Sequence, residues 1–371
     1  MTYLDYNASA PVRPAVIEAM RDALARKGNP SSVHGFGRRA RRELEEARGS
    51  IAALVGVAAD RVILTSGGTE ANNQALRSVP GTCAISAVEH DSVLGAAPDA
   101  LRLPVDDAGR IVLDRLPEQL ERARPGLVSV MLANNETGVL QPVGEVAAVA
   151  RSYGALVHCD AVQAAGKVPV DMDELGADLL SLSAHKLGGP PGIGALVVRE
   201  GIEPAPLLRG GGQERRRRAG TENPPGALGF GLACRLAIDD ATFAARVGAL
   251  RDALEARILK LAPSTRLFGR EAARLCNTSC LAMPGVANQT QLMAFDLEGV
   301  AVSTGSACSS GKVGPSHVLA AMSVPEAEAS SAIRVSLGWA SEAADVDRFV
   351  EVWTRLFLRT RGGKPRLAAS A

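Results

Sequence analysis

Short runs of aliphatic and β-branched residues at 62–64, 83–87, 127–132, 156–159, 179–182 and 195–198 alternate with stretches of helical periodicity, such as 70–77 and 143–153. This alternation restricts the fold more than any other feature of the chain. Strand, covering helix and strand again predict an α/β architecture, a mostly parallel sheet with helices on both faces. Ahead of the first run, 38–54 ("RRARRELEEARGSIAAL") has the pattern of a surface helix with charges of both signs on its wet side.

From about residue 240 the texture changes. A long helical pattern stops at Pro263; strand-like "NTSCLAM", amphipathic "QTQLMAFDLEG", strand-like "SAIRVSLGWAS" and a final helical "DVDRFVEVWTRLFLR" follow. That order predicts a smaller α+β domain. The 371 residues suffice for two domains, and 46% hydrophobic against 22% charged residues fits a chain that buries substantial cores.

Charge and cysteine usage narrow the function classes. Lys+Arg 41 against Asp+Glu 40 leaves a net charge of +1, so no overall field favours nucleic acid or an anionic membrane. No uninterrupted apolar run reaches spanning length, and the expected location is cytoplasmic. The six cysteines include no CxxC pair, Cys276 and Cys280 are spaced C-x3-C, and "HCD" at 158–160 lacks a second ligand cluster. Free thiols and no metal site are expected.

Ligands of open parallel sheets bind at the carboxyl ends of the strands. In "ILTSGGTEANNQAL", Gly67 and Gly68 allow a tight backbone and Thr69 opens a helix whose unpaired amides suit a phosphate; an ordinary glycine turn capped by Thr69 fits the same letters. His90 follows the second run, and Asn134, Asn135 and Glu136 follow the third, as ligand contacts or as a turn. Asp160 ends the fourth run with Gln163 three residues on, and a carboxylate there requires a cation such as a protonated ring nitrogen. "SLSAHKLGGPPGIG" brings Ser183, His185 and Lys186 together without dinucleotide-binding spacing. A lysine that meets an aldehyde at a strand end becomes a Schiff base. Pyridoxal 5'-phosphate needs an amine for its aldehyde, a carboxylate for its pyridine nitrogen and a pocket for its phosphate; Lys186, Asp160 and the Gly68-Thr69 helix start supply all three.

These residues, with "YLDYNASAPV", "GNPSSVHGFGRRAR", "NNETGVLQPV", "RAGTEN", "STGSACSSG" and "IRVSLG" in that order, resemble the cysteine desulfurases, pyridoxal-phosphate enzymes of the aspartate-aminotransferase-like fold. The resemblance runs nearly end to end. It implies a fold type I enzyme with a seven-stranded, mostly parallel sheet in a large domain at 15–240, and a small α+β domain made of 1–14 and 241–371. It implies that Lys186 binds the cofactor covalently, Asp160 pairs with its ring nitrogen, His90 stacks on the ring and Gln163 bonds the ring hydroxyl. Asn135 would lie near ring and substrate, while Thr69, Ser183 and His185 hold the phosphate and Gly68 lets the backbone approach. Thr221 would reach the phosphate of a neighbouring subunit, which implies a homodimer with shared sites.

By the same resemblance, Arg334 clamps the substrate carboxylate and Cys308 attacks the sulfur of L-cysteine. The products are alanine and a Cys308 persulfide bound for a sulfur-acceptor protein, an iron-sulfur scaffold being one kind. Cys308 must ionise to attack, with His90 or the substrate as proton acceptor. Two departures stand out: the run Arg215 to Arg218, and a tail after Trp353 shorter than in members that dock an iron-sulfur scaffold. A selenocysteine lyase, an aminotransferase-like enzyme and a non-catalytic sulfur relay are the alternatives on this scaffold.

Overall fold

The structure, a computed structural model, describes residues 1–305 and 316–360; Cys308 lies outside the described residues. After the short strand β1 (Thr2–Tyr3), seven strands form the central sheet: β2 (Val62–Thr65), β3 (Cys83–Ser86), β4 (Leu101–Leu103), β5 (Leu127–Met131), β6 (Leu156–Asp160), β7 (Leu179–Ser183) and β8 (Gly194–Val198). Their order is β2-β8-β7-β6-β5-β3-β4. The five strands β7, β6, β5, β3 and β4 run parallel, and β8 is antiparallel to both β7 and β2. Two reversals cancel, so β2 points the same way as β7. The carboxyl ends of six strands therefore open on one edge.

Both faces of this sheet are covered, which is why its strands read as continuous apolar runs rather than as alternations. Successive side chains still part to opposite sides. Val62, Leu64, Val128, Val130, Leu180, Leu182 and Val197 enter one core, while Ile63, Ile85, Leu127, Leu179 and Leu196 enter the other. Helices Gly35–Leu54 and Pro224–Asp239 pack together over the first face, and helix Gly68–Arg77 sends Ala71, Ala75 and Leu76 into the second. The first pair is unusually close: a Cβ on Gly231 would stand 2.8 Å from the Cα of Ala47.

A second core lies beyond residue 240 and takes in the start of the chain. Strands β9 (Leu267–Phe268), β10 (Thr278–Ala282) and β12 (Ala332–Ser336) form an antiparallel sheet, and β11 (Val300–Ala301) pairs with β1. Leu4 is buried here with Leu281, Ile333, Phe295, Phe349 and Trp353, the rings of Phe295 and Phe349 stacking at 5.0 Å. Helix Ala343–Thr360 supplies Phe349 and Trp353 from one face, an amphipathic segment whose last buried aromatic is Phe357. The N-terminal strand thus closes the smaller sheet system, and residues 5–9 pass from it across the edge where the strands of the large sheet end. No helix among the described residues is long and apolar enough to cross a membrane.

Candidate active site

At that edge lies a cavity of about 310 Å³, within the size range of small-molecule sites. Gly68, Thr69, His90, Asn135, Asp160, Gln163, Ser183, His185, Lys186 and Arg334 all line it. They come from the ends of five strands, β2, β3, β5, β6 and β7, and from β12 of the smaller sheet, so the convergence follows from topology rather than from proximity in sequence. Thr221 is exposed and is not among the lining residues of its own chain.

Asp160 is the last residue of β6, and both carboxylate oxygens are held. Oδ1 accepts the amide of Val162 at 2.9 Å, and Oδ2 accepts the side-chain amide of Asn72 at 2.7 Å, itself anchored to Ser92 Oγ at 2.8 Å. One turn after β7, Lys186 donates from Nζ to the carbonyls of Asn7 at 2.6 Å and Ala8 at 2.8 Å. The amine and the carboxylate thus face one space from adjacent parallel strands.

The phosphate-type corner is built on the helix Gly68–Arg77. Its N-cap is Gly67 and no side chain caps it, so its first amides depend on partners outside the helix. A Cβ on Gly68 would come 2.8 Å from Val162 Cγ2 and 3.5 Å from Ser183 Cβ, so a side chain there would close the cradle between helix start and β7. Ser183 and His185 line its far side. Burial, then the charges of Lys186 and Lys167, push His185 down to about 4, leaving a neutral imidazole at pH 7.

His90 caps the short helix Asp91–Leu94: its Nδ1 accepts the amide of Ser92 at 3.1 Å, which leaves the ring proton of the neutral form on Nε2. Asn134 and Asn135 divide the two roles open to their motif. Asn134 Oδ1 accepts the amides of Glu136 and Thr137 at 2.9 and 3.0 Å, making the turn, while Asn135 faces the cavity. Glu136 is turned away, accepting the hydroxyl of Ser316 at 2.5 Å.

Arg334 sits on β12, 2% exposed, and reaches the cavity from the smaller sheet. Its NH2 donates to Asp5 Oδ1 at 2.7 Å and its NH1 to the carbonyl of Asn135 at 3.0 Å; its Nε is buried without a partner among the described residues. A carboxylate ligand would satisfy such a donor. Two arginines of the run are engaged with the protein itself. Arg218 pairs with Glu70 at 2.9 Å and Arg217 donates to the carbonyl of Asp60 at 3.0 Å, while buried Glu214 holds Arg48 at 2.7 and 2.8 Å.

Sequence reasoning did not single out Asn7, Asn72, Lys167 or Asp5. Asn72 and Asn7 stood inside quoted motifs, yet nothing local marks an asparagine that orients a carboxylate 88 residues away. The cysteines add a negative result. Burial raises the pKa of Cys83, Cys159, Cys234, Cys276 and Cys280, so the thiols among the described residues stay protonated and weakly nucleophilic.

The donor set fits pyridoxal phosphate: one amine, one carboxylate with both oxygens oriented, and an uncapped helix start cradled by Gly68. The chain matches the Aminotransferase class-V family model over residues 2–349. It is 42% identical to "Cysteine desulfurase IscS" of Dictyoglomus turgidum, covering 98% of this chain and 96% of that protein. It is 46% identical to a cysteine desulfurase of Cereibacter sphaeroides, over 94% of each chain. Among solved structures, a NifS-like protein from Rickettsia africae superposes with a TM-score of 0.90 at 35% identity, over 96% of this chain and 99% of that one. The chain belongs to the cysteine desulfurases, a pyridoxal-phosphate-dependent branch of the class V aminotransferases.

Proposed function

We propose that this cavity converts L-cysteine to L-alanine and passes the sulfur to Cys308 as a persulfide. The observation that carries the reading is the meeting of Lys186, Asp160, the Gly68 cradle and the Arg334 donor in one cavity. Lys186 would hold the cofactor aldehyde, Asp160 its ring nitrogen, and Thr69, Ser183 and His185 its phosphate. His90 would cover the ring, Gln163 would donate to the ring oxygen, and Asn135 would stand between ring and substrate.

When bound, pyridoxal phosphate supplies an electron-accepting ring that stabilises negative charge at the substrate Cα. The chain's own residues do the rest. Arg334, fixed by Asp5 and the Asn135 carbonyl, orients the substrate carboxylate. Lys186 Nζ would take the Cα proton of the substrate. Asp160, held rigid by Asn72 and Val162, keeps a proton on the ring nitrogen. The Cys308 thiolate attacks the substrate sulfur: an S–S bond forms, the C–S bond breaks, and its electron pair returns to carbon, which is protonated to alanine. The thiol is oxidised to persulfide and the substrate carbon is reduced, so no outside oxidant is required.

The reading extends to a cytoplasmic homodimer in which Thr221, exposed and off its own cavity, completes the neighbour's phosphate pocket. It also divides the chain into the cofactor-binding domain at 15–240 and a smaller domain of 1–14 with 241–371. A sulfur-acceptor protein, an iron-sulfur scaffold among the kinds expected, would take the persulfide. Alanine formation from L-cysteine with a thiol reductant as acceptor tests the core claim. Cys308→Ser should keep the cofactor absorbance and lose alanine formation; full turnover in that variant would refute the persulfide route. Lys186→Ala should lose both the absorbance and the mass that borohydride fixes on its peptide.

A further inference from the structure

A second lysine lies beneath the site, and the mechanism above does not use it. Lys167 is 8% exposed, and among the described residues no carboxylate pairs with it. Its Nζ donates to Gln163 O and Gln163 Oε1, both at 2.9 Å, and to Asn7 Oδ1 at 3.5 Å. Burial, then the charge of Lys186, lowers its pKa from 10.5 to about 7, yet three acceptors and, among the described residues, no donor surround Nζ, which matches the three N–H of the ammonium form and gives its hydrogen bonds a use.

That use follows from donor and acceptor chemistry. An ammonium group offers three donors and no acceptor, so any side-chain amide touching it must turn its oxygen inward. Gln163 therefore presents Nε2 to the other side, where one N–H reaches the carbonyl of Asn7 at 2.8 Å and the second remains for the cavity that Gln163 lines. Asn7 is fixed in the same way. Its Oδ1 accepts from Lys167 and from Asn277 Nδ2 at 3.0 Å, and its Nδ2 donates to Thr278 Oγ1 at 2.9 Å and to the Asn135 carbonyl at 3.2 Å. That carbonyl is also the acceptor of Arg334 NH1, and the Asn7 carbonyl is an acceptor of Lys186.

We propose that Lys167 is a positioning residue whose buried ammonium fixes the direction of the Gln163 and Asn7 amides, so that Gln163 offers only N–H to an oxygen in the cavity. The inference rests on the cofactor reading above, in which that oxygen is the ring oxygen of pyridoxal phosphate. The fixed donor favours the oxygen's anionic form and so eases release of the proton that this anion shares with the nitrogen of Lys186. The titratable groups facing Lys167 are Lys186, Cys276 and Arg334, with His185 close enough to feel its charge.

The test is a double-substitution cycle on the cofactor-loaded protein, read as the pH midpoint of the visible absorbance change. Lys167→Met and Gln163→Ala should each raise the midpoint by about one pH unit, the size of one charge-assisted hydrogen bond. Together they should raise it no further than either alone, and Lys167→Arg, which keeps the donors, should return it close to the unsubstituted value. Additive shifts would mean that Lys167 acts through its charge and not through Gln163; either that result or an unmoved midpoint in Lys167→Met overturns the inference. Should Lys167→Met fail to load, Lys167→Gln takes its place in the cycle, with the same outcomes deciding. Absence of any visible band in the unsubstituted protein would instead overturn the cofactor reading, and this inference with it.

Discussion

Asp5 grips Arg334 through a 2.7 Å contact between Oδ1 and NH2, so the guanidinium that faces the cavity is aimed by a residue from the opposite end of the chain. The pair is mostly enclosed, the two side chains being 20% and 3% exposed. Within the proposed reaction, Asp5→Asn keeps the shape and weakens the aim. The expected result is a KM for L-cysteine raised roughly tenfold with kcat nearly unchanged, as for loss of a charge-assisted contact that serves binding. Steady-state alanine formation checks it, and a fall in kcat at constant KM would contradict it.

Asn72 should matter to the cofactor and not to the substrate. Its amide bridges Asp160 Oδ2 and Ser92 Oγ. Asn72→Ala frees one oxygen of the carboxylate, and cofactor affinity should fall by roughly tenfold, equivalent to about 1.4 kcal/mol. Equilibrium titration of the apoprotein with pyridoxal phosphate measures it, with the KM for cysteine at saturating cofactor expected to stay in place.

His158 makes acid stability a property of the fold rather than of the site. Its ring lies between Ser129 Oγ at 2.8 Å and Ser181 Oγ at 2.9 Å, and burial pushes its pKa from 6.5 down to about 4. The unfolded chain therefore binds a proton between those two values that the folded chain refuses. Its contribution is complete above pH 6.5 and is lost as the pH falls through that window, by roughly 3 kcal/mol at the lower end. Melting temperature followed from pH 7 to pH 4 should drop less steeply in His158→Gln than in the unsubstituted protein.

Glu214, Arg215 and Arg216 adopt left-handed backbone with φ of 46°, 56° and 67° in succession. Glu214 repays its strain through Arg48 and the amide of Leu64, but Arg216 is exposed. Replacing it by glycine removes a steric penalty that exceeds the entropy glycine adds to the unfolded chain. Arg216→Gly should stabilise by roughly 0.5–1 kcal/mol, read as a raised melting temperature.

The six longer strands of the large sheet were legible because burial on both faces leaves mostly aliphatic and β-branched letters in them. β4 was not, since three residues at a sheet edge, one of them Arg102, carry no such run. Helix Pro224–Asp239 was hidden for a different reason. Its glycines lower helix propensity, yet Gly231 is what lets it lie against Ala47, so tertiary packing overrides local preference. In the site, the residues that stand at strand ends could be found from the strands. Lys167 and Asp5 could not, because their roles exist only through partners such as Asn7 and Arg334, 160 and 329 residues away.

The route of residues 5–9 across the strand ends sets an order of assembly. Asn7 touches Lys186 and Gln163 on one side and Thr278 and Ser336 on the other, so the cavity wall it forms has no fixed position until β12 exists. On a ribosome, a nascent chain holding the whole large sheet would still lack Arg334 and an anchored Asn7. The cavity wall is therefore complete only once Ala332–Ser336 has joined the fold.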